Sequence, residues 1–129
     1  MFIDTSVLIE LLKSKPGSEI FEKIYSHIRE ENLFISVIQM GEISDWCFRN
    51  DEDPSKIMPE LKEIVEILEL GEEIVLRASK IKYERRREGF KKFGLIDGLI
   101  LASSRYLGET LLTYDADFRD LNDVILLKK

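Results

Sequence analysis

Apolar residues along this chain follow two patterns, one typical of helices and the other of short buried strands. In the segment that begins at Ser18, for example, Ile20, Phe21 and Ile24 fall on one helical face. Similar spacing, with residues that start or stop helices, predicts helices over 5–13, 18–31, 36–50, 72–87 and 95–107, a helix that begins at Pro54, and a helical turn over 116–121.

Short apolar runs between these helices predict strands over 1–4, 32–35, 64–70, 110–114 and 124–127. The segment 64–70 fits a helix as well as a strand, and a strand that ends at Gly71 is favoured. Strands that alternate with helices are typical of an α/β layered domain, in which right-handed crossovers join the strands of a parallel sheet. No repeat, low-complexity tract or linker divides the chain, so a single domain over residues 1–129 is predicted.

Two helix starts carry polar signals. Thr5 and Ser6 are predicted to cap the first helix. Ser36 is followed three residues later by Gln39, which is the spacing of a capping box. Because Pro59 could interrupt the helix that begins at Pro54, the sequence does not decide whether that helix is continuous.

The composition indicates a globular protein and not a membrane protein. A chain of 129 residues with 44% hydrophobic residues has the length and apolar content of one globular domain. No apolar run approaches the ~20 residues of a membrane-spanning helix, and the first residues lack the basic region of a signal peptide. Cys47 is the only cysteine, which suits a reducing compartment. We therefore expect a cytoplasmic protein with no membrane segment.

The net charge of −6 is unevenly distributed. Residues 80–92 hold seven Lys and Arg against two Glu, so this segment carries +5 and the rest of the chain −11. Such a segment could hold a phosphate chain locally, bind an acidic partner, or be only a solvated helix face with ion pairs at helical spacing.

Acidic residues stand where predicted strands end or the following helices begin. Asp4 and Asp115 each close a strand, and Asp117 follows two residues later. Asp97 lies in the first turn of a helix that leads to the strand before Asp115, and Glu42 lies in the second turn of the helix at 36–50. Because ligands gather at the carboxyl ends of parallel strands, all of these acids are predicted to share one edge of the sheet.

Each acid also has an ordinary structural explanation. Asp97 could favour a helix N-terminus, Asp115 could cap the turn after it, and Glu42 could be an exposed helical acid. Asp4 is harder to explain in this way, because it lies between apolar residues. Carboxylates held close together repel one another unless a cation lies between them, so their convergence predicts a divalent metal site.

The residue types indicate which metal and which chemistry. An all-oxygen site of carboxylates suits Mg²⁺ or Mn²⁺, whereas zinc is disfavoured because the chain offers only His27 and Cys47. The sequence lacks the motifs of catalytic triads and of phosphate-binding glycine loops. It also lacks the two histidines that a paired-histidine ribonuclease requires. Carboxylate-held Mg²⁺ is well suited to phosphodiester hydrolysis, which needs no protein nucleophile.

Four segments together resemble the PIN-domain nucleases, in particular the small VapC-type toxin ribonucleases. In chain order the segments are FIDTSVL at 2–8, SVIQMGE at 36–42, LIDGLILA at 95–102 and LLTYDADF at 111–118. Each string alone is common, but all four in order in a chain of this length are specific. The resemblance implies a three-layer PIN-like fold with a parallel sheet of four or five strands in the order 3-2-1-4-5.

The resemblance also implies roles for individual residues. The family's catalytic acids match Asp4, Glu42, Asp97 and Asp115, and a second, more variable acid matches Asp117. Of these, the expected metal ligands are Asp4, Asp97, Asp115 and Asp117. Hydroxyls that hydrogen-bond the acids match Thr5, Ser6 and Thr113.

Family members cleave RNA with Mg²⁺ or Mn²⁺ and leave a 5′-phosphate and a 3′-hydroxyl. Many form homodimers and are silenced by an antitoxin that inserts a basic side chain among the acids. We accordingly expect an endoribonuclease and the toxin of a VapBC-type pair. The alternatives are a non-catalytic PIN scaffold that binds nucleic acid or protein, and a PIN nuclease of ribosomal RNA processing.

Gly98 and Leu101 stand where the family often has Ala, and Gly98 is expected to weaken its helix slightly. The expected RNA-binding residues are Lys82, Arg85, Arg86, Arg87, Lys91 and Lys92, because this segment leads directly to Asp97. The apolar residues Ile20, Phe21, Ile24, Trp46 and Phe48 could belong to the core or to a dimer interface, and the core is favoured.

Overall fold

Five short parallel strands form one sheet in the order β3-β2-β1-β4-β5, in a computed structural model that describes all of residues 1–129. The strands are β1 (Phe2–Ile3), β2 (Phe34–Ser36), β3 (Glu66–Leu68), β4 (Leu111–Thr113) and β5 (Val124–Leu126). Both the parallel sheet and its predicted strand order are confirmed. Each strand has only two or three residues, which is shorter than predicted, and β2 ends at Ser36, one residue later than predicted.

Six α-helices and one 3₁₀ turn connect and cover the strands. The helices are α1 (Thr5–Lys13), α2 (Glu19–Ile28), α3 (Val37–Arg49), α4 (Pro54–Ile64), α5 (Glu72–Arg87) and α6 (Leu95–Tyr106), and the turn is Ala116–Phe118. Helix α4 continues through Pro59 and includes Ile64, so the strand predicted over 64–70 is confined to β3. No helix has both the length and the hydropathy that a bilayer span requires.

Successive residues of the strands point to opposite faces of the sheet, and both faces are covered. Ile3 and Leu112 join a core cluster with residues of α1 to α4, whereas Phe2 and Leu111 join a second cluster with residues of α6. This agrees with the topology, because the chain moves from β1 towards β3 on one face and returns to β4 on the other. The predicted three-layer α/β/α arrangement is therefore confirmed.

The strand order reverses between β1 and β4. These strands are neighbours, with Ile3 paired to Leu112, although residues 4–110 separate them in the sequence. A crevice is expected at the carboxyl ends of two such strands, because the connections leave them in opposite directions. Asp4 follows β1 and Asp115 follows β4 by two residues, so both acids lie at this crevice.

The helix starts differ in part from prediction. Asp4 is the N-cap of α1 and makes no side-chain cap, so the predicted caps Thr5 and Ser6 are instead helical residues. Their hydroxyls donate to the carboxylates of Glu42 and Asp4 and do not cap the helix. The capping box of α3 is confirmed, with the backbone N–H of Ser36 donating to Gln39 Oε1 at 2.8 Å.

Helices α5 and α6 approach closely at Gly98. A Cβ atom at this position would lie 2.5 Å from the backbone carbonyl oxygen of Ala78. Besides the weakening of α6 that is expected from its helix propensity, Gly98 thus has a packing role, because glycine is the residue that permits this crossing.

The apolar residues that could belong to the core or to a dimer interface do not all have the same environment. Ile24 is fully buried, and Ile20 and Trp46 pack partly against the main core cluster. Phe21 is half-buried and stacks on Tyr25, with ring centroids 5.9 Å apart. Phe48 is 71% exposed, so the core assignment is wrong for this residue.

Candidate functional site

A cleft of about 550 Å³ opens at the carboxyl edge of the sheet. Asp4, Glu42, Asp97 and Asp115 all line it. They come from the end of β1, from α3, from the first turn of α6 and from the segment after β4. The structure thus brings the four predicted catalytic acids into one cleft.

Asp4 is the most deeply buried of these acids, with 5% of its surface exposed. Its Oδ2 atom accepts hydrogen bonds from Thr113 Oγ1 at 2.6 Å and from Ser6 Oγ at 2.7 Å. Burial raises the pKa of Asp4, the nearby charge of Asp115 raises it further, and the two hydroxyls oppose the rise. Both side-chain hydrogen bonds go to Oδ2, so Oδ1 remains available to another ligand.

Asp97 lies in the first turn of α6, where its Oδ2 atom accepts a hydrogen bond from the backbone N–H of Gly94 at 2.7 Å. The pKa of Asp97 is raised to about 6, and burial is the largest cause. The charges of Asp115, Asp4 and Asp117 add to this rise, and only the Gly94 hydrogen bond lowers it. The raised pKa therefore has two causes, which are the burial of Asp97 and the like charges near it.

Glu42 is held by the third predicted hydroxyl. Thr5 Oγ1 donates to Glu42 Oε1 at 2.6 Å, and Gln39 Nε2 lies 3.3 Å from the same hydroxyl. Gln39 also donates to the backbone oxygen of Ile3 at 2.6 Å and is fully buried. Burial raises the pKa of Glu42, and the charge of Asp4 contributes.

Gln39 therefore ties the end of β1 to the start of α3. The sequence indicated this residue only as part of a capping box. Its further bonds to β1 and Thr5 depend on strand pairing, for which the sequence carried no separate signal.

Asp115 and Asp117 occupy the turn after β4. The backbone N–H of Asp115 donates to Thr113 Oγ1, and the N–H of Asp117 donates to Asp115 Oδ1, each at 2.9 Å. Asp115 lines the cleft, whereas Asp117 does not. Asp117 lies near enough for its charge to raise the pKa of Asp97. It therefore stands at the margin of the acid group.

Arg85 corrects one prediction. It is only 3% exposed, with its guanidinium carbon 3.6 Å from the centroid of the Phe90 ring. Its Nη2 atom donates to the backbone oxygens of Asp117 at 2.7 Å and Arg119 at 2.9 Å. A buried guanidinium bonded to the protein is not available to an RNA phosphate, so the assignment of Arg85 to RNA binding is wrong. Arg85 instead fixes the turn that carries Asp117.

The remaining predicted RNA-binding residues surround the C-terminal end of α5, and we call them the α5 basic surface: Lys82, Arg86, Arg87, Lys91 and Lys92. All are exposed except Lys82, which is half-buried. Arg86 Nε donates to the backbone oxygen of Phe93 at 2.8 Å, directly before the segment that starts α6. Through Arg86, the α5 basic surface therefore contacts the segment that leads to Asp97.

The acid group has the oxygen atoms that a metal ion needs, but they are not gathered into a finished site. No three Asp, Glu, His or Cys side chains lie close enough together to form a ready metal-binding group, as expected for carboxylates that repel one another. Asp4, Asp97 and Asp115 nevertheless each have one oxygen held by a protein donor and one without such a bond. An all-oxygen donor set of this kind fits a hard divalent cation.

Comparison with known proteins adds a family and a set of similar structures. The PIN domain family matches residues 1–124. Among curated proteins, none matches the chain in sequence.

Several solved structures share the fold. A chain of a toxin-antitoxin complex from Klebsiella pneumoniae has a TM-score of 0.75 and 18% identity, and the match covers 96% of this chain and 94% of that one. VapBC2 from Rickettsia felis, bound to a DNA fragment from its promoter, has a TM-score of 0.75 and 17% identity, with 98% and 96% covered. The sarcin-ricin loop cleaving toxin VapC20 of Mycobacterium tuberculosis has a TM-score of 0.65 and 18% identity, with 91% of each chain covered.

Proposed function

Because the chain belongs to the PIN domain family, we propose that it is an endoribonuclease that hydrolyses RNA phosphodiester bonds with the help of Mg²⁺ or Mn²⁺. The observation that carries this proposal is the convergence of four carboxylates from four segments on one cleft, where burial and mutual repulsion raise the pKa values of three of them. Such a group is costly to fold unless a cation stabilises it. A function that uses a cation accounts for that cost.

Some side chains of the cleft would bind the cation, and others orient those that bind it. Asp4, Asp97 and Asp115 would hold the cation, and Asp117 stands beside them. When bound, a divalent cation acidifies water and neutralises charge on the leaving oxygen of a phosphodiester. Ser6 and Thr113 fix Asp4 through Oδ2, so that the other carboxylate oxygen keeps one orientation.

Glu42 has a different role in this proposal. Thr5 holds its Oε1 atom, and Oε2 has no protein hydrogen-bond donor. A carboxylate with a raised pKa accepts a proton more readily than an ordinary one. We therefore assign Glu42 Oε2 as the acceptor of the proton that leaves the attacking water.

The partners are part of the same proposal. The solved structures named above include toxin-antitoxin complexes, and we propose that this chain is the toxin of a VapBC-type pair. A basic side chain of the antitoxin would neutralise the acid group by occupying the place of the cation. The toxin is proposed to act as a homodimer.

Metal-dependent cleavage is the direct test of this function. Wild-type protein with Mg²⁺ or Mn²⁺ is expected to cut a mixed-sequence single-stranded RNA, and EDTA is expected to stop the reaction. Asp4→Asn should lower the rate more than about 100-fold, because it removes a ligand charge and keeps the shape. Asp51→Asn, a change at an exposed acid outside the cleft, is the matched control.

The outcomes of this assay separate the alternatives. Cleavage that survives in Asp4→Asn would contradict the proposed site. A wild-type protein that neither cuts RNA nor binds Mn²⁺ would contradict the function and leave a non-catalytic scaffold. Binding of Mn²⁺ without cleavage of the mixed RNA would indicate a strict requirement for one RNA sequence.

The α5 basic surface gives a separate prediction. Changing Arg86, Lys91 and Lys92 together to Gln is expected to weaken RNA binding and to reduce the slope of log affinity against log salt by about 1 for each lost phosphate contact. Fluorescence anisotropy at several salt concentrations measures both quantities. The control changes Lys56 and Lys62 of α4 to Gln. Equal losses in both variants would mean that this surface contributes only general charge.

A further inference from the structure

The acid cleft continues along one side of helix α3. Ile38, Glu42, Asp45 and Arg49 recur at the spacing of one helical face, and all of them line the cleft. At 1.5 Å per residue, about 16 Å of helix separates Ile38 from Arg49. The cleft is therefore a groove that leads from the acids towards the C-terminal end of α3.

The groove is acidic along most of its length and carries one positive charge. Five carboxylates line it, and Arg49 is the only cationic side chain that does so. A nucleic-acid strand that approaches the acids is repelled wherever no cation balances them. Arg49 is thus the one charged side chain of the groove that attracts a backbone phosphate.

Arg49 is free to make such a contact. Its Nε atom lies 3.2 Å from Asp45 Oδ2, and the side chains of Arg49 and Asp45 are 67% and 71% exposed. An exposed ion pair at this spacing contributes little to stability. The planar guanidinium can exchange its carboxylate partner for a phosphate, which has a matching arrangement of oxygens.

We propose that Arg49 binds an RNA backbone phosphate a few nucleotides from the bond that is cut, so that the substrate strand runs along α3. Asp45 competes with that phosphate for the guanidinium and weakens RNA binding. The inference rests on the proposed ribonuclease function and makes Arg49 a positioning residue. The α5 basic surface is a separate feature, because none of its residues lines the cleft.

A purely structural role of the pair predicts something different. Arg49 is the last residue of α3, where a cation stabilises the helix dipole. In that case loss of Arg49 would lower stability slightly, and neither change would affect RNA specifically. The proposal instead predicts opposite effects of the two changes on RNA affinity.

The experiment measures binding of a labelled mixed-sequence single-stranded RNA in Mg²⁺, in an Asp97→Asn background that does not cleave it. Arg49→Gln is expected to weaken binding about 10-fold, in line with the loss of one hydrogen-bonded charge, and to reduce the salt slope by about 1. Asp45→Asn is expected to tighten binding a few-fold. Melting temperatures verify that each variant is folded.

A second ion pair provides the matched control. Glu73 and Arg77 on α5 have the same four-residue spacing, a distance of 3.0 Å and side-chain exposures of 61% and 64%. Glu73→Gln and Arg77→Gln are expected to change affinity less than about 2-fold, as for an exposed charge that binds no phosphate.

Three results would overturn the inference: an unchanged affinity in Arg49→Gln, weaker binding in Asp45→Asn, or an equal loss in Arg77→Gln. Any of these in a protein whose wild type cleaves RNA leaves the proposed function intact. Absence of both RNA cleavage in the wild type and RNA binding in the Asp97→Asn background would overturn the function and this inference together.

Discussion

The Asp97→Asn variant is expected to melt at a higher temperature than the wild type in EDTA at pH 7.5, and to have lost metal-dependent RNA cleavage. Asparagine removes one charge from a group of repelling carboxylates, and its side-chain oxygen still accepts the hydrogen bond that Gly94 donates. For a protein of this size we expect a rise of about 3–6 °C. A gain in stability with loss of activity is typical of an acid retained for function.

The pH dependence of this gain has a definite sign. In the folded protein the pKa of Asp97 is about 6, compared with an ordinary value of 3.8. The folded state therefore holds the proton more tightly than the unfolded state, and the stability that Asp97 contributes falls as the pH rises from 3.8 to 6. The difference in melting temperature between variant and wild type should be largest above pH 7 and should shrink as the pH falls to 5. Thermal unfolding followed by circular dichroism at both pH values measures it.

Asp123→Asn is the control of opposite sign. Asp123 accepts a hydrogen bond from Arg105 at 2.7 Å, which holds its pKa below the ordinary value. The stability that Asp123 contributes is present above pH 3.8 and falls at lower pH, so its removal should lower the melting temperature at pH 7.5. If Asp97→Asn behaved like Asp123→Asn, the repulsion attributed to the acid group would be absent.

Added Mn²⁺ extends the same comparison. A cation that binds only the folded protein raises the melting temperature according to its concentration and affinity. The wild type should therefore gain more stability from Mn²⁺ than Asp97→Asn does. Equal gains in the two proteins would place the cation away from Asp97.

Much of the acid group could be predicted from the sequence because it depends on topology. Asp4 and Asp115 follow short apolar runs, and in a parallel sheet all such positions lie at one edge. Asp97 and Glu42 lie near the starts of helices at that edge. These placements need only the order of elements and the direction of each strand, which apolar spacing, glycine and capping residues indicate.

The roles of other residues depend on side-chain directions that the sequence does not show. Arg85 belongs to the same basic run as Arg86, yet it is buried beneath the turn that carries Asp117, whereas Arg86 is exposed. Asp45 and Arg49 resemble an ordinary surface ion pair until α3 is placed against the cleft. In each case two segments far apart in the chain determine what the side chain contacts.

Gly98 is the clearest residue whose role depends on two distant segments, because it allows α6 to pack closely against α5. Gly98→Ala is expected to lower the free energy of unfolding by about 2–3 kcal/mol, as for an atom forced into a packed contact. The new Cβ atom would lie 2.5 Å from the carbonyl oxygen of Ala78 and 3.1 Å from its carbonyl carbon. Both are backbone atoms, so no side chain can move to relieve the contact, and α5 and α6 must separate. This cost exceeds the gain of about 1 kcal/mol that alanine brings to a helix interior.

The same substitution at Gly41 is the matched control. Gly41 lies inside α3, and no atom comes within 4 Å of the position that its Cβ would occupy. Gly41→Ala should therefore stabilise the protein by about 0.5–1 kcal/mol through helix propensity alone. Urea denaturation of both variants measures the two opposite changes. If both variants were stabilised equally, the spacing of α5 and α6 would not depend on Gly98.

The packing at Gly98 also bears on the cleft. Gly98 directly follows Asp97, so a shift of α6 away from α5 displaces that carboxylate relative to Asp4 and Asp115. Catalytic groups lose efficiency with displacements of about 1 Å. Gly98→Ala is therefore expected to cut RNA more slowly even at a temperature where it remains folded. Cleavage at the wild-type rate by folded Gly98→Ala protein would mean that Asp97 keeps its position without this helix contact.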